Sequence, residues 1–515
     1  AHLSVNEAIQ HGLDAGGIDA MRFVPPFSHV RKYYNEKMHP SKLDLDDQEV
    51  YKFVYEDGAW GAVFQCTSQG SQRFFMKAKP KSVIDIAALT SIYRPGPLAA
   101  NVDKSYVNAK ENPENVEYAH PLVESVLKET FGHVIFQEQT LKLGNIVASM
   151  SMEDCDKLRK VLTKKSISGL KQREIDLKIL KDKFTTGSVT NGLDRTDAEK
   201  LFQTISYHSG YSFNLSHALS YAIDSYTCAH MLYHHREEWF ASYLQSVSQS
   251  PDKLEIALRE LQMHGYRVSS IDINHATNRW EVMKGGRFMP SFSSVTGIGS
   301  IAVAEIINKR PYSSVFDLLW DDNLKWKHSK ANRKVFDALI RIGAFESLDI
   351  IGEDKIFTDY SHMHRSIIGH WDELRKHGPP SLERIVAEEY GKEPWSKREI
   401  ISIKHELMGY FDIDSLVSTR LAGKLSTLSI ESIDQLDSEP GIFWFVVTNA
   451  VPKLTKHGKP YLLLTVIGPS GKSKKIFVWN CKPGVELQQF SVCVAQLDPS
   501  DFGASTMFSK LKIVG

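Results

Sequence analysis

The chain is short of the features that would fix its class at a glance. Cysteine is sparse: five (Cys66, Cys155, Cys228, Cys481 and Cys493) in 515 residues, none in CxxC spacing. That pattern fits neither a zinc ribbon nor a secreted disulfide framework. Net charge is absent as well, since Lys+Arg and Asp+Glu both number 62 and the pI is near 7.4. Any surface for nucleic acid must therefore come from local clustering of cations, not from overall charge. No apolar run reaches the length of a membrane span, and no basic region followed by an apolar core opens the chain. A soluble, cytoplasmic protein with no membrane partner is expected. No methionine precedes Met21, so a fragment or a processed product is expected too.

Length and apolar content are there in abundance. A chain of 515 residues with 42% hydrophobic residues is too long for one ordinary domain, and three or four are expected. Near the start, Ser4 and Glu7 have capping-box spacing. Asp44, Asp46 and Asp47 then cluster ahead of a helical run through Val50, Phe53 and Val54. Paired carboxylates can hold metal ions for phosphoryl transfer, but an acidic cap explains Asp46 or Asp47 more simply. Further on, Arg94-Pro95-Gly96-Pro97 must end the preceding helix, because proline removes a donor and restricts its neighbour. It leaves Arg94 at a rigid corner, either as a phosphate contact or as a solvated turn residue.

Residues 117–205 read as mainly helical. Ser151 is spaced to cap a helix whose apolar face carries Cys155, Leu158, Val161 and Leu162. Its other face and its exit carry Lys157, Arg159, Lys160, Lys164 and Lys165, with Lys171 and Arg173 soon after. Acidic partners look scarce until Glu174, so this is either a phosphate-facing surface or a solvated face. Thr196 to Glu199 read as the cap of a further helix. The stretch HSGYSFNLSHALSYAIDSY, His208 to Tyr226, follows. Leu219, Ala222, Ile223 and Tyr226 share one helix face, and Ser216 is expected to be the N-cap behind the polar cluster Asn214, Ser216 and His217. A helix N-terminus suits a phosphate, although a capped core helix accounts for the same pattern. His230, His234 and Glu238 fall at four-residue spacing. On one straight helix the outer two would stand about 12 Å apart, too far to share an ion, and a plain helix face is expected.

Later segments change character. Thr296-Gly297-Ile298-Gly299 precedes an apolar-periodic helix, and such a hairpin can grip a DNA phosphate through backbone N–H groups of Gly297 and Gly299 without reading sequence. Residues 320–334 add a basic patch with interleaved tryptophans. From about 431 the chain is β-rich, with a hairpin turn at Gly458, and a small barrel of OB type is expected. Lys453, Lys456, Lys459, Lys472, Lys474 and Lys475 gather on its turns beside Phe443, Trp444, Tyr461 and Trp479. Exposed aromatics with cations hold single strands; aromatics in the barrel core with lysines guarding the edges are the alternative.

Taken together, AVFQCTSQG, LTSIYRPGPL, FGHVIFQEQ, DKLRKVLTKK, GYSFNLSHALSYA, VTGIGSIAVAEII, VFDALIRIGAFESL, HELMGYF and TKHGKPYLLLTV occur in one order along nearly the whole chain. In that order they resemble the alpha, catalytic subunit of bacterial DNA polymerase III, a C-family replicative polymerase. The resemblance implies an α+β multidomain chain, with mainly helical fingers and a helix-hairpin-helix region followed by a small β-barrel. Its expected segments are 1–85 (end of palm and start of fingers), 86–255 (fingers), 256–350 (duplex-binding helix-hairpin-helix), 351–430 (helical connection) and 431–515 (OB-fold). It further implies nucleotide contacts from Arg94, Arg159, Lys160, Lys164, Lys165, Asn214, Ser216 and His217. Leu215 departs from the family's usual lysine in that loop. DNA contacts are implied at Gly297, Gly299, Lys453, Lys456 and Lys459.

On the same resemblance the catalytic aspartates and the magnesium they hold belong to a palm upstream of Ala1, so no catalytic or metal residue is expected within this chain. The implied partners are primer-template DNA, deoxynucleoside triphosphates and a separate or upstream palm-bearing segment. A sliding clamp is a further partner, although 351–430 holds no glutamine-led clamp motif. The alternative function is a non-catalytic DNA-binding accessory protein of the same descent.

Overall fold

The computed structural model describes residues 28–163, 170–209, 212–409, 416–437, 439–469, 473–482, 484–500 and 503–514. Ser4, Glu7, Lys164, Lys165, Gly210, Tyr211 and Lys472 lie outside the described residues. The chain divides into two compact units, Ala1–Phe240 and Ala241–Gly515.

The described part of the first unit is built mainly of helices and the loops between them. Asp47 caps the turn Gln48–Val50 by accepting the Glu49 N–H at 3.0 Å, as an acidic residue before an apolar run should. Asp44 is spent locally, accepting the Asp46 N–H at 3.0 Å. Helix α1 (Val83–Ile92) is nearly all apolar and is buried on most sides. It ends ahead of Arg94, and Pro95, which needs no N–H at a helix start, opens the short α2 (Pro95–Ala99). Then come α3 (Gln137–Lys142), α4 (Met152–Thr163), α5 (Leu170–Thr190) and α6 (Arg195–Ser209). Leu143, Leu158, Leu180, Phe184 and Phe202 interlock as their shared core. Ser151 does cap α4, its hydroxyl accepting the Asp154 N–H at 3.1 Å. Thr196 does not cap α6: the helix has already begun at Arg195, and the Asp194 carbonyl takes the Ala198 N–H.

Helix α7 (Leu215–His234) lies beside α1 and buries Ala218, Ala222, Tyr226, Ala229 and Leu232. Tyr226 packs on Tyr51 at 5.0 Å and donates to the Asp44 carbonyl at 2.7 Å. Ser225 donates to the Phe64 carbonyl and pairs with the Tyr55 hydroxyl. These bonds tie α7 to residues some 160–180 positions earlier in the chain. The helix stops at His234, and Glu238 belongs to the next one, α8 (Arg236–Val247). The single straight helix read through His230, His234 and Glu238 is thus corrected to two. His234 bonds Asp47 at 2.9 Å, and burial pushes the His230 imidazole down to about 4.

In the second unit a small sheet, β1 (Arg267–Val268), β2 (Glu281–Met283) and β3 (Arg287–Met289), leads into a hairpin and α9 (Ser300–Asn308). A helical core from Ile271 to Met408 packs behind it, with Trp320, Phe336, Trp371 and Leu374 inside. The tryptophans of 320–334 are therefore core residues and not an exposed patch: Trp320 is buried, and Trp326 packs edge-on against Trp371 at 4.7 Å.

The C-terminal strands are β4 (Glu431–Ser432), β5 (Gly441–Leu454), β6 (Pro460–Ile467), β7 (Ser473–Trp479), β8 (Val492–Ser500), β9 (Gly503–Met507) and β10 (Leu511–Ile513). The run β5-β6-β7-β9-β8 closes because β8 also pairs with β5, and β7–β9 is its parallel contact. This is a five-stranded closed barrel with OB-type connectivity. A register shift between Val447 and Asn449 lets the long β5 bend from one partner to the other. Gly503, at φ +133°, sits where β9 meets β7, and a Cβ there would stand 2.3 Å from the Lys475 carbonyl oxygen.

Candidate nucleic-acid interface

The expected nucleotide contacts come from three separate stretches, and the fold of the first unit brings the described ones together. Phe136 and Phe213 form a short parallel bridge. Phe213 N–H donates to the Ile135 carbonyl and Gln137 N–H donates to the Phe213 carbonyl, each at 2.9 Å. That bridge aligns the starts of α3 and α7. Arg94, at the proline corner, lies with its guanidinium 4.6 Å over the Phe213 ring, an arrangement that holds an arginine flat while leaving its charge available. Aromatic contacts continue from Phe213 to His217 at 5.3 Å and from His217 to Tyr221 at 4.3 Å. Phe64 then closes on Tyr221 at 5.2 Å.

The N-terminus of α7 is differently capped from the sequence expectation. Asn214, not Ser216, is the N-cap: its Oδ1 accepts the His217 N–H at 2.9 Å. Ser216 is inside the first turn, and its hydroxyl donates to that same oxygen at 2.6 Å. The Glu138 carboxylate reaches over from α3, accepting the Leu215 N–H at 2.8 Å and the Asn214 amide at 2.9 Å. The positive end of the helix dipole is thus already met by a carboxylate from the chain itself. Asn214, Ser216 and His217 remain exposed at this end.

On α4, Arg159 and Lys160 stand on the same wall. The scarcity of acidic partners read in this run is corrected by Asp156, one turn back. Its Oδ1 accepts from Arg159 Nε and Nη2 at 3.1 and 2.8 Å, and its Oδ2 lies 2.6 Å from Lys160 Nζ. Lys160 and Arg159 together hold the Asp156 carboxyl below its ordinary range. Lys157 pairs with Asp176 and Lys183 with Asp154. Arg159 Nη1 also donates to Gln137 Oε1 at 3.2 Å. So Arg94, Phe213, Asn214, Gln137 and Arg159 form one connected patch, and an anion approaching it meets a flat aromatic edge and two placed guanidinium groups.

Gln137, Glu138, Asp156, Phe213 and Tyr221 were not singled out in the sequence. Only Asp156 had a local signal, its spacing of three and four residues from Arg159 and Lys160. The others act through contacts between segments far apart in the chain.

In the second unit, Gly297 takes φ +93° and Gly299 caps α9. Thr296 N–H is bound to the Leu407 carbonyl at 2.7 Å, which fixes the turn on the helical core. A Cβ on Gly297 would stand 3.1 Å from Cε of Lys334, so the basic stretch supplies a cation beside the hairpin. On the barrel, Lys453, Lys456 and Lys459 are exposed on the β5–β6 hairpin, with Gly458 at φ +74°. Tyr461, Phe477 and Trp479 share an outer face, with centroids 5.0 Å (Tyr461–Trp479) and 5.9 Å (Phe477–Trp479) apart. Three expected members leave the group, the first being Trp444, which packs against a separate cluster of Val446, Ile467 and Val492. Phe443 is buried in the barrel core, and Lys474 donates to the Ile433 and Leu436 carbonyls.

All five cysteines are free and buried. Among the described residues no group of three or more His, Cys, Asp or Glu side chains is placed to hold a metal ion. Among them too, no helix is long and apolar enough to cross a membrane.

Comparison with known proteins follows the same lines. Residues 26–182 match the family described as the bacterial DNA polymerase III alpha subunit finger domain, and residues 265–353 match the helix-hairpin-helix motif. The DNA polymerase III subunit alpha of Aquifex aeolicus is 28% identical over 438 residues, covering 84% of this chain and 35% of that protein. That of Chlamydia pneumoniae is 28% identical over 433 residues, 80% and 33% respectively. That of Xylella fastidiosa strain Temecula1 is 31% identical over 307 residues, 59% and 25%. The chain spans about a third of the length of the first two of these relatives.

Proposed function

We propose that this chain, related in sequence to the alpha subunits of bacterial DNA polymerase III, is the nucleotide-positioning and DNA-binding part of a replicative DNA-directed DNA polymerase. One observation carries the reading: Arg94, Arg159 and the start of α7 meet across the Phe136–Phe213 bridge. Three stretches separated by tens of residues have no reason to converge on exposed cations if each were only a capped helix. The work assigned to these residues is electrostatic. Arg94, Arg159 and Lys160 meet the triphosphate, while Asn214, Ser216 and His217 line the approach to it. Lys164 and Lys165 extend the same cationic run in sequence. No general acid or base is assigned among them.

The carboxylates near the start of the described chain have other work. Asp44 bonds the Asp46 N–H, and Asp47 is committed to its cap and to His234. On this reading the magnesium ions and the carboxylates holding them belong to a palm segment outside these 515 residues, and no step here is routed through them. Primer-template DNA is held by the hairpin at Gly297 and Gly299 and by the barrel lysines, in the cytoplasm where replication runs.

Primer extension with magnesium and all four nucleotides tests the proposal. The chain should be silent alone and active once mixed with a palm-bearing protein of the same enzyme. Extension by the chain alone would refute the division of labour. Silence in both arms with intact DNA binding would favour a non-catalytic DNA-binding accessory protein.

A further inference from the structure

Gln137 is held at three points. Its backbone N–H donates to the Phe213 carbonyl at 2.9 Å, its side-chain amide donates to the Ser212 carbonyl at 3.4 Å, and its Oε1 accepts from Arg159 Nη1 at 3.2 Å. Asp156 holds the opposite edge of the same guanidinium through Nε and Nη2. Arginine carries several rotatable bonds, and fixing its plane beforehand removes ordering that a ligand would otherwise have to impose.

The chemical identity of residue 137 matters as much as its reach. It is the first residue of α3, where the helix dipole favours a carboxylate. A glutamate there would also make a stronger bond to Arg159. Against those two effects, only the Gln amide can also donate to the Ser212 carbonyl, and the residue is the neutral isostere. With Asp156 already one carboxylate against Arg159 and Lys160, a second would cancel the positive charge this wall offers.

Resting on the reading of this wall as the nucleotide site, we infer that Gln137 is a positioning residue: it orients Arg159 toward the triphosphate from a neutral acceptor, so that the guanidinium is fixed without a second carboxylate against it.

The test measures binding of a non-incorporable deoxynucleoside triphosphate analogue to the full chain on primer-template, together with thermal unfolding. Gln137→Met keeps the volume and removes both side-chain bonds; Gln137→Glu keeps the acceptor, loses the donor to the Ser212 carbonyl and adds charge. The expected result is a roughly tenfold loss of nucleotide affinity in each (on the scale at which tenfold is 1.4 kcal/mol). Primer-template affinity should be unchanged in both variants. On an Arg159→Ala background, Gln137→Met should add nothing. A Gln137→Glu chain that binds nucleotide as the parent does would overturn the inference, because the added charge beside Arg159 would then not be felt by the triphosphate. So would losses that simply add in the double variant. No measurable nucleotide affinity in the parent, or undiminished affinity in Arg159→Ala, would instead sink the reading of the wall itself.

Discussion

Phe213 has a double duty, since its backbone joins α3 to α7 and its ring carries Arg94. Replacing it by leucine keeps the backbone bonds and most of the apolar volume but removes the π-face. A cation–π contact at such a site is worth about 0.5–2 kcal/mol, so Phe213→Leu should weaken nucleotide affinity by about two- to thirtyfold while DNA affinity holds. Isothermal titration on primer-template would read both. Asp47 is a residue of a different kind, stabilising rather than functional. Burial raises its carboxyl, but the His234 bond and the Glu49 and Val50 N–H groups outweigh that and leave it below the ordinary range. A depressed carboxylate stabilises above its unfolded value of about 4 and loses that contribution as pH falls through the folded value. Asp47→Asn keeps a capping oxygen and loses the charge. It should cost about 0.5–1 kcal/mol at pH 7, as a partly exposed pair does, and the gap to the parent should narrow below about pH 4 in urea titrations.

At the scale of elements, Glu305 on α9 anchors the loop behind the hairpin. Its carboxylate accepts the backbone N–H groups of Ser329, Lys330 and Ala331 at 2.7–2.9 Å, and Lys309 Nζ at 2.9 Å. Burial works against the charge, but those donors prevail and hold the carboxyl well below its usual range. Its support is therefore present above about pH 4 and fades only in strong acid. Glu305→Gln turns an amide toward backbone donors, and an unsatisfied buried donor costs about 1–3 kcal/mol. The second unit should lose about that much stability by denaturant unfolding, with DNA affinity falling along with the ordered hairpin.

Elements were also where sequence reading succeeded and failed by turns. Proline, glycine and apolar periodicity act locally, so the break at Arg94, the turn at Gly458 and the strand-rich end were legible. The cap of α7 was not, because Asn214 and Ser216 are equally good caps by type; Glu138, 76 positions away, bonds Asn214 and Leu215 and favours the former. Phe443 and Trp479 look alike in sequence, yet barrel closure buries one and leaves the other on an outer face. The wall proposed to take the nucleotide was visible as three fragments whose meeting depends on the Phe136–Phe213 bridge, a contact between segments that no local pattern announces.

Across the whole molecule, cations are divided between two kinds of surface, and they should respond differently to salt. The barrel lysines at 453, 456 and 459 stand exposed on a hairpin beside the Tyr461, Phe477 and Trp479 rings. Each phosphate they neutralise on a single strand releases counterions and contributes about 0.7 to the slope of log affinity against log salt. Changing all three to alanine should flatten that slope by about 2 and weaken DNA at low salt most. Changing Phe477 and Trp479 to alanine removes stacking worth about 1–3 kcal/mol per base and should weaken DNA equally at every salt concentration. Neither set is part of the wall at Arg159, so nucleotide affinity measured with saturating DNA should survive both, whereas Arg159→Ala should do the reverse. If the lysine variant left the slope intact, the hairpin would be an edge guard of the barrel, and DNA would have to be held elsewhere, beginning with Gly297, Gly299 and Lys334.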